Sequence, residues 1–264
     1  MTQTETIHPF STEIYSSADT IIDLKKIYER PWMYPLQVEA VFTPKRFSVI
    51  EGSTKSGKTI SCLIWILEEI IYKGYAGAIF WWVAPSYQQS RIAFKRLKRW
   101  LPKHFYSRIN ESEVTITFIN GAVLHFRSAD NADLLYGENV TSVVIDEASR
   151  AREESWHAIR TTLTKTEGSC RLIGNVRGKR NFFWKLARLA EQGMDNFHYQ
   201  KITWVDAVAA KVIKQSEVDE AKNILPEPVF RELYESEAVE ANQNPFGEAA
   251  IRACIGPMST DAPF

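Results

Sequence analysis

From Phe47 onward the chain alternates short apolar runs with stretches in which apolar residues return every three or four positions. The run "FSVIEG" is rich in β-formers and predicts a strand. After a glycine-rich turn, Ile60, Leu63, Ile64, Leu67, Ile70 and Ile71 fall at helical spacing, and Gly74 and Gly77 stop the pattern. "AIFWWVAP", from Ala78, is apolar without alternation, as in a strand covered on both faces, and Pro85 closes it. A second helix is predicted from about Ser86 to Trp100. "VTITFINGAVLHFRS" alternates on either side of Asn120-Gly121, a pair suited to a two-residue turn with positive φ at both positions, and predicts a hairpin insertion. "TSVVIDEAS" and "SCRLIGNV" are two more buried strands, and the helix "NFFWKLARLAEQG" separates them from the strand-like "FHYQKITW".

Strands alternating with helices predict an α/β fold with a mostly parallel central sheet and flanking helices. Its core runs from about residue 46 to 204, after an N-terminal segment at 1–45. Residues 205–246 are charged, helical in pattern and interrupted by "LPEP", which predicts a small helical subdomain packed on the core.

Composition narrows the picture less than the pattern does. In 264 residues, 32 Lys and Arg balance 32 Asp and Glu, so contact with a polyanion must come from local patches. No apolar run reaches spanning length, and "MTQTETIHPF" lacks the basic start and apolar stretch of a secretion signal, so an intracellular, membrane-free protein is expected. Cys62, Cys170 and Cys254 are widely separated and odd in number, which favours reduced thiols over a disulfide or a zinc site.

The turn after the first strand carries the clearest chemistry. Gly52, Ser53, Thr54, Lys55, Ser56, Gly57, Lys58 and Thr59 satisfy G-x-x-x-x-G-K-[ST], the phosphate loop, between the predicted strand and helix that this motif requires. Glycines let backbone N–H groups turn inward around phosphate oxygens, and the following helix adds its positive end. Lys58 is expected to reach the β- and γ-phosphates of ATP, and the Thr59 hydroxyl to take one position on octahedral Mg²⁺.

A second strand supplies the acids. In "SVVIDEA", Asp146 ends a buried apolar run and is expected to bind Mg²⁺ through water or to hold Thr59. Glu147, the next residue, points into the γ-phosphate cleft and is the candidate general base for the attacking water. Two adjacent acids after an apolar run would be a poor strand end without a cation nearby.

These motifs together resemble the N-terminal DNA-packaging ATPase domain of the large terminase subunit of tailed bacteriophages. "YPLQVEAV" is similar to the family's adenine motif, "WWVAPSYQQS" and "FINGAVLHFRSAD" to recurring family segments, and "RLIGNVRGKRNFFW" to its coupling motif. "NPFGEAAIRACIG" resembles the segment leading toward the terminase nuclease domain, and 247–264 would begin that linker. The resemblance implies a P-loop NTPase fold of the RecA type, in the additional-strand catalytic-glutamate class, and ATP hydrolysis that drives double-stranded DNA into the procapsid. It further implies that Gln37 reads adenine and that Asn175 senses the γ-phosphate and couples it to the DNA-handling parts.

Where many terminases carry arginine in the phosphate loop this chain has Lys55, which keeps the charge without the planar fork. Where the family often has an Arg-Gly finger the chain has Tyr136-Gly137, with Arg127, Arg150 and Arg152 as nearby arginines. The chain holds no cluster of acids fit for a two-metal nuclease, so no DNA cleavage is expected of it. Arg177, Lys179 and Arg180 are candidates for gripping DNA phosphates, whereas Arg91, Lys95, Lys98 and Arg99 form a charged helical side of the kind that more often only faces solvent. The implied partners are the portal protein, the small terminase subunit and further copies of the chain in a ring, acting in the host cytoplasm at the portal vertex. A helicase-like or switch-like P-loop ATPase acting on nucleic acid is the alternative.

Overall fold

The structure, a computed structural model, describes residues 23–239. The expected linker at 247–264, residues 240–246 of the helical subdomain, Cys254 and the first 22 residues of the N-terminal segment lie outside that range.

Eight strands form one sheet: β1 (Phe47–Gly52), β2 (Ile79–Ala84), β3 (Tyr106–Asn110), β4 (Thr115–Phe118), β5 (Val123–Ser128), β6 (Val140–Ile145), β7 (Ser169–Gly174) and β8 (Phe197–Ile202). Their spatial order is β3-β4-β5-β2-β6-β7-β1-β8. The six strands from β5 to β8 in that order are parallel, while β4 pairs antiparallel with β5 and β3 with β4. β7 stands between β1, which leads into the phosphate loop, and β6, which leads into the two acids.

The apolar strands are continuous because both faces of the sheet are covered. Phe80 and Trp82 of β2 face a core shared with α2 (Pro35–Phe42), α3 (Lys58–Lys73) and α4 (Tyr87–Trp100). Trp81 and Val83, one residue out of step, face the opposite core with α5 (Glu153–Thr162) and α6 (Phe182–Glu191). Cys62 and Cys170 are buried thiols, one in each core. A short helix, α1 (Leu24–Ile27), precedes α2, and α7 (Trp204–Ala209), α8 (Gln215–Ile224), α9 (Glu227–Phe230) and a π-helical turn at Arg231–Glu235 follow β8.

Two expectations are corrected. The hairpin is not an insertion: β5 is a parallel neighbour of β2, and β4 and the unforeseen β3 extend the same sheet. Its turn has positive φ at Gly121 (75°) but not at Asn120. Gly121 N–H donates to Phe118 O (2.9 Å) and Phe118 N–H to Ala122 O (2.8 Å), a three-residue loop that needs one left-handed residue. Asn120 is instead buried, where its amide donates to Ile70 O at the end of α3 (2.8 Å) and accepts from Ala122 N–H. Ile60 belongs to the helical spacing yet is 39% exposed, because it lies in the first turn of α3, at the site end of the helix.

Two buried polar groups brace the site from below. Arg171, on β7, donates from Nε to Val41 O (2.7 Å), from Nη2 to Thr43 O (3.1 Å) and from Nη1 to Arg46 O and Cys170 O (both 3.1 Å), with its guanidinium 4.4 Å from the Trp65 ring centre. It thereby ties β7 to the link between α2 and β1. Glu51, the residue before the phosphate loop's first glycine, accepts from Tyr199 OH (2.7 Å) and is ion-paired with Arg188 of α6.

Candidate active site

The phosphate loop leaves β1 at Gly52 and becomes α3 at Lys58. Lys55 at its exposed tip has φ 57° and Gly57 has φ 84°, so the backbone doubles back in a left-handed bend on either side of Ser56. A Cβ on Gly57 would lie 2.3 Å from Gln37 Nε2, so a side chain there would displace that amide as well as strain the backbone at φ 84°. No side chain caps α3, and its first-turn N–H groups remain free to face an anion. Ser53 Oγ is buried without a hydrogen-bond partner.

Lys58 is buried, and its Nζ donates to Ser53 O (2.8 Å) and to Asn175 Oδ1 (3.0 Å) at the end of β7. Burial pushes its pKa down to about 8, opposed by the charges of Glu147 and Asp146. Asn175 in turn donates from Nδ2 to Leu233 O (3.2 Å), and that carbonyl also accepts from Thr54 N–H (2.6 Å). Glu232 accepts from Gly178 N–H (2.8 Å). The helical segment after β8 is therefore stitched to both the phosphate loop and the end of β7, a link that the sequence pattern does not reveal.

At the end of β6, Asp146 N–H donates to Val83 O (2.8 Å), and the Asp146 carboxylate accepts from Glu147 N–H (3.0 Å). Glu147 adopts φ 50°, ψ 43°, a conformation that costs a non-glycine residue energy and that collects at functional sites. Its carboxylate is half-exposed, with Arg150 Nε 3.9 Å away. Among the described residues no cluster of three or more His, Cys, Asp or Glu could hold a metal. One carboxylate with the Thr59 hydroxyl is a hard oxygen set suited to Mg²⁺, which takes few protein ligands and completes its shell with phosphate and water.

Gln37 lies on α2, 5% exposed, with Nε2 donating to Ser56 O (3.2 Å) and Oε1 accepting from Tyr34 N–H (3.3 Å). Tyr34 OH donates to the same Ser56 O (2.7 Å), a second brace that no sequence signal marks. Arg127 is held by Glu138, by Leu134 O (3.2 Å) and by the Trp81 ring, whose centre lies 4.6 Å from its guanidinium. Arg150 sits beside Glu147, and Arg152 stands at the start of α5. Arg177, Lys179 and Arg180 lie on the loop after β7, next to Asn175. On α4, Lys98 pairs with Glu111 and Arg91 lies over Tyr87.

Residues 49–182, about half of the chain, match the family described as "Terminase large subunit, T4likevirus-type, N-terminal". The chain belongs to the terminase large subunit family. No curated protein matches the sequence. Among solved structures, the ATPase domain of the Thermus phage P74-26 large terminase is 18% identical over 79% of this terminase chain and 94% of its own, with a TM-score of 0.68. The bacteriophage HK97 large terminase is 16% identical over 81% of this chain and 52% of its own, TM-score 0.68. The large terminase of a further, thermophilic bacteriophage, in complex with ADP, is 17% identical over 78% and 53%, TM-score 0.62. These likenesses establish the P-loop NTPase fold. The chain spans about half the length of the HK97 and the ADP-bound large terminases.

The terminase site also has a charge imbalance that can be tested. Burial, and then the neighbouring Glu147, raise Asp146 from 3.8 to about 7. The folded state therefore holds this proton more tightly than the unfolded chain, and the stability it contributes, full below about pH 4, is lost as pH rises through about 7. Asp146→Asn keeps an acceptor for Glu147 N–H without the charge. In nucleotide-free, metal-free protein we expect it to match wild type near pH 4 and to exceed it by on the order of a few kcal/mol at about pH 8, in paired urea titrations. Equal stability at both pH values would contradict a carboxylate whose burial outweighs its compensation by Lys58 and the Glu147 N–H.

Proposed function

We propose that this chain is the Mg²⁺-dependent ATP-hydrolysing motor domain of a phage packaging complex, and that it drives double-stranded DNA through the portal into the procapsid. One observation carries the reading: the ends of β1, β7 and β6 bring Lys58, Asn175 and the Asp146-Glu147 pair around one phosphate loop, with β7 between the other two strands.

Loop N–H groups, Lys58 and Lys55 hold the triphosphate and offset charge on the γ-phosphoryl oxygens. Thr59 and Asp146 would hold Mg²⁺, which would neutralise charge on the triphosphate. Glu147 takes a proton as water oxygen bonds to the γ-phosphorus and the bond to the β-γ bridging oxygen breaks, releasing ADP and phosphate. Gln37 has one N–H committed to Ser56 O and offers the second to the adenine edge. Asn175 reports loss of the γ-phosphate because its partner Lys58 changes acceptor, and Arg177, Lys179 and Arg180, beside it, grip DNA phosphates regardless of sequence.

Several copies in a ring, with the portal and the small terminase subunit, would be needed to hold DNA while one domain resets. Within such a ring Arg127, Arg150 or Arg152 would supply the cation that faces a neighbour's nucleotide, since Tyr136 stands where the family often has arginine. The test is phosphate release from Mg·ATP by the purified chain over a range of protein concentrations. We expect specific activity to rise with concentration, and more steeply with duplex DNA. Absence of hydrolysis under all conditions despite tight ATP binding would turn the reading toward a nucleotide switch.

A further inference from the structure

Trp32 is 72% exposed, more than any other large apolar residue among those described. Its broad, flat face is therefore open to solvent and available for a planar ligand to stack on. Its support is rigid. Arg30 makes a bidentate pair with Glu68 of α3 (both bonds 2.6 Å) and lies 3.9 Å above Phe42, while Tyr28 OH donates to the same Glu68 (3.0 Å). Two residues beyond Trp32, buried Tyr34 is fastened by its hydroxyl to Ser56 of the phosphate loop. Pro31 and Pro35 fix φ on both sides of the short stretch between these anchors.

The indole is also in the right place. Its ring centre lies 6.5 Å from that of Tyr34, tilted by 47°, and Tyr34 shares the Ser56 carbonyl with the amide of Gln37. A nucleotide with phosphates in the loop and its base edge at Gln37 therefore meets a flat apolar face beside that edge. We infer that Trp32 is the stacking wall for the purine base, so that Gln37 selects the base edge while Trp32 supplies the face. This rests on the phosphate-loop reading above.

Stacking acts on the base and leaves the phosphates untouched, which makes the inference separable from the reading it rests on. In the full chain with Mg²⁺, dissociation constants are measured for ATP and for inorganic tripolyphosphate, in wild type, Trp32→Ala and Trp32→Phe. Loss of one stacked base corresponds to roughly 5- to 150-fold weaker binding. We expect Trp32→Ala to weaken ATP by an amount in that range and leave tripolyphosphate unchanged, with Trp32→Phe recovering most of the loss. Because the ring is exposed, thermal melting should be the same in all three proteins. Unchanged ATP affinity in Trp32→Ala, or equal weakening of both ligands, overturns the stacking wall while leaving the phosphate loop in place. Wild-type protein that binds neither ligand overturns both.

Discussion

Replacing Glu147 by glutamine is expected to lower ATP turnover by roughly 10²- to 10⁴-fold, the range supplied by a positioned general base, while ATP binding stays within a few-fold of wild type. The expectation comes from how the residue is held. Its backbone is fixed in the left-handed region, with Asp146 accepting its N–H and Arg150 N–H donating to its carbonyl (2.9 Å). A fold maintains that conformation only where its surroundings over-determine it. Glutamine keeps the length and shape of the side chain but takes no proton from water. Single-turnover phosphate release, set beside equilibrium binding of ATP, separates the two effects. A variant that turns over at the wild-type rate would return Glu147 to a structural role at the end of β6.

Arg171→Met should destabilise the domain by about 3–5 kcal/mol. Methionine fills much of the same space, but the carbonyls of Val41, Thr43, Arg46 and Cys170 lose a shared donor inside the protein. Burial lowers the guanidinium pKa to about 10, so it remains charged at neutral pH and its hydrogen bonds are charge-assisted. For a domain of this size the melting temperature should fall by roughly 6–20 °C. Lysine should rescue little of this, because three donors on one flexible tip cannot reach carbonyls spread over several directions. A melting shift within about 2 °C would mean that water replaces the guanidinium. Since the clamp also seats α2, ATP affinity should weaken in parallel, by way of Gln37 and Tyr34.

Much of this architecture is legible in the residues. Buried parallel strands announce themselves as "FSVIEG", "IFWWVA" and "TSVVI" because both faces are covered and no polar alternation dilutes the signal. The phosphate loop and the Asp-Glu pair are equally plain, since their chemistry is local. Long-range hydrogen bonds leave no such trace: nothing in "RELYE" marks Leu233 O as the acceptor for Thr54 and Asn175, which are far away in sequence. α5 is hard to read although Trp156, Ile159 and Leu163 repeat at helical intervals, because its acidic and threonine-rich flanks resemble a loop. Asn120 misleads for a different reason. Its amide is worth more inside, bonded to the end of α3, than in a turn of doubly positive φ.

The Leu233 carbonyl sets a limit on how this domain can be dissected. Severing the chain after the last strand, at the boundary that pattern alone suggests near residue 204, would strip the acceptor from Thr54 N–H and from the Asn175 amide together. The freed loop and the freed Asn175 would then relax independently, and a sheet that kept its shape would have lost the tether between them. The smallest unit in which the phosphate loop keeps its hydrogen bonds therefore extends past the sheet into the helices that follow it.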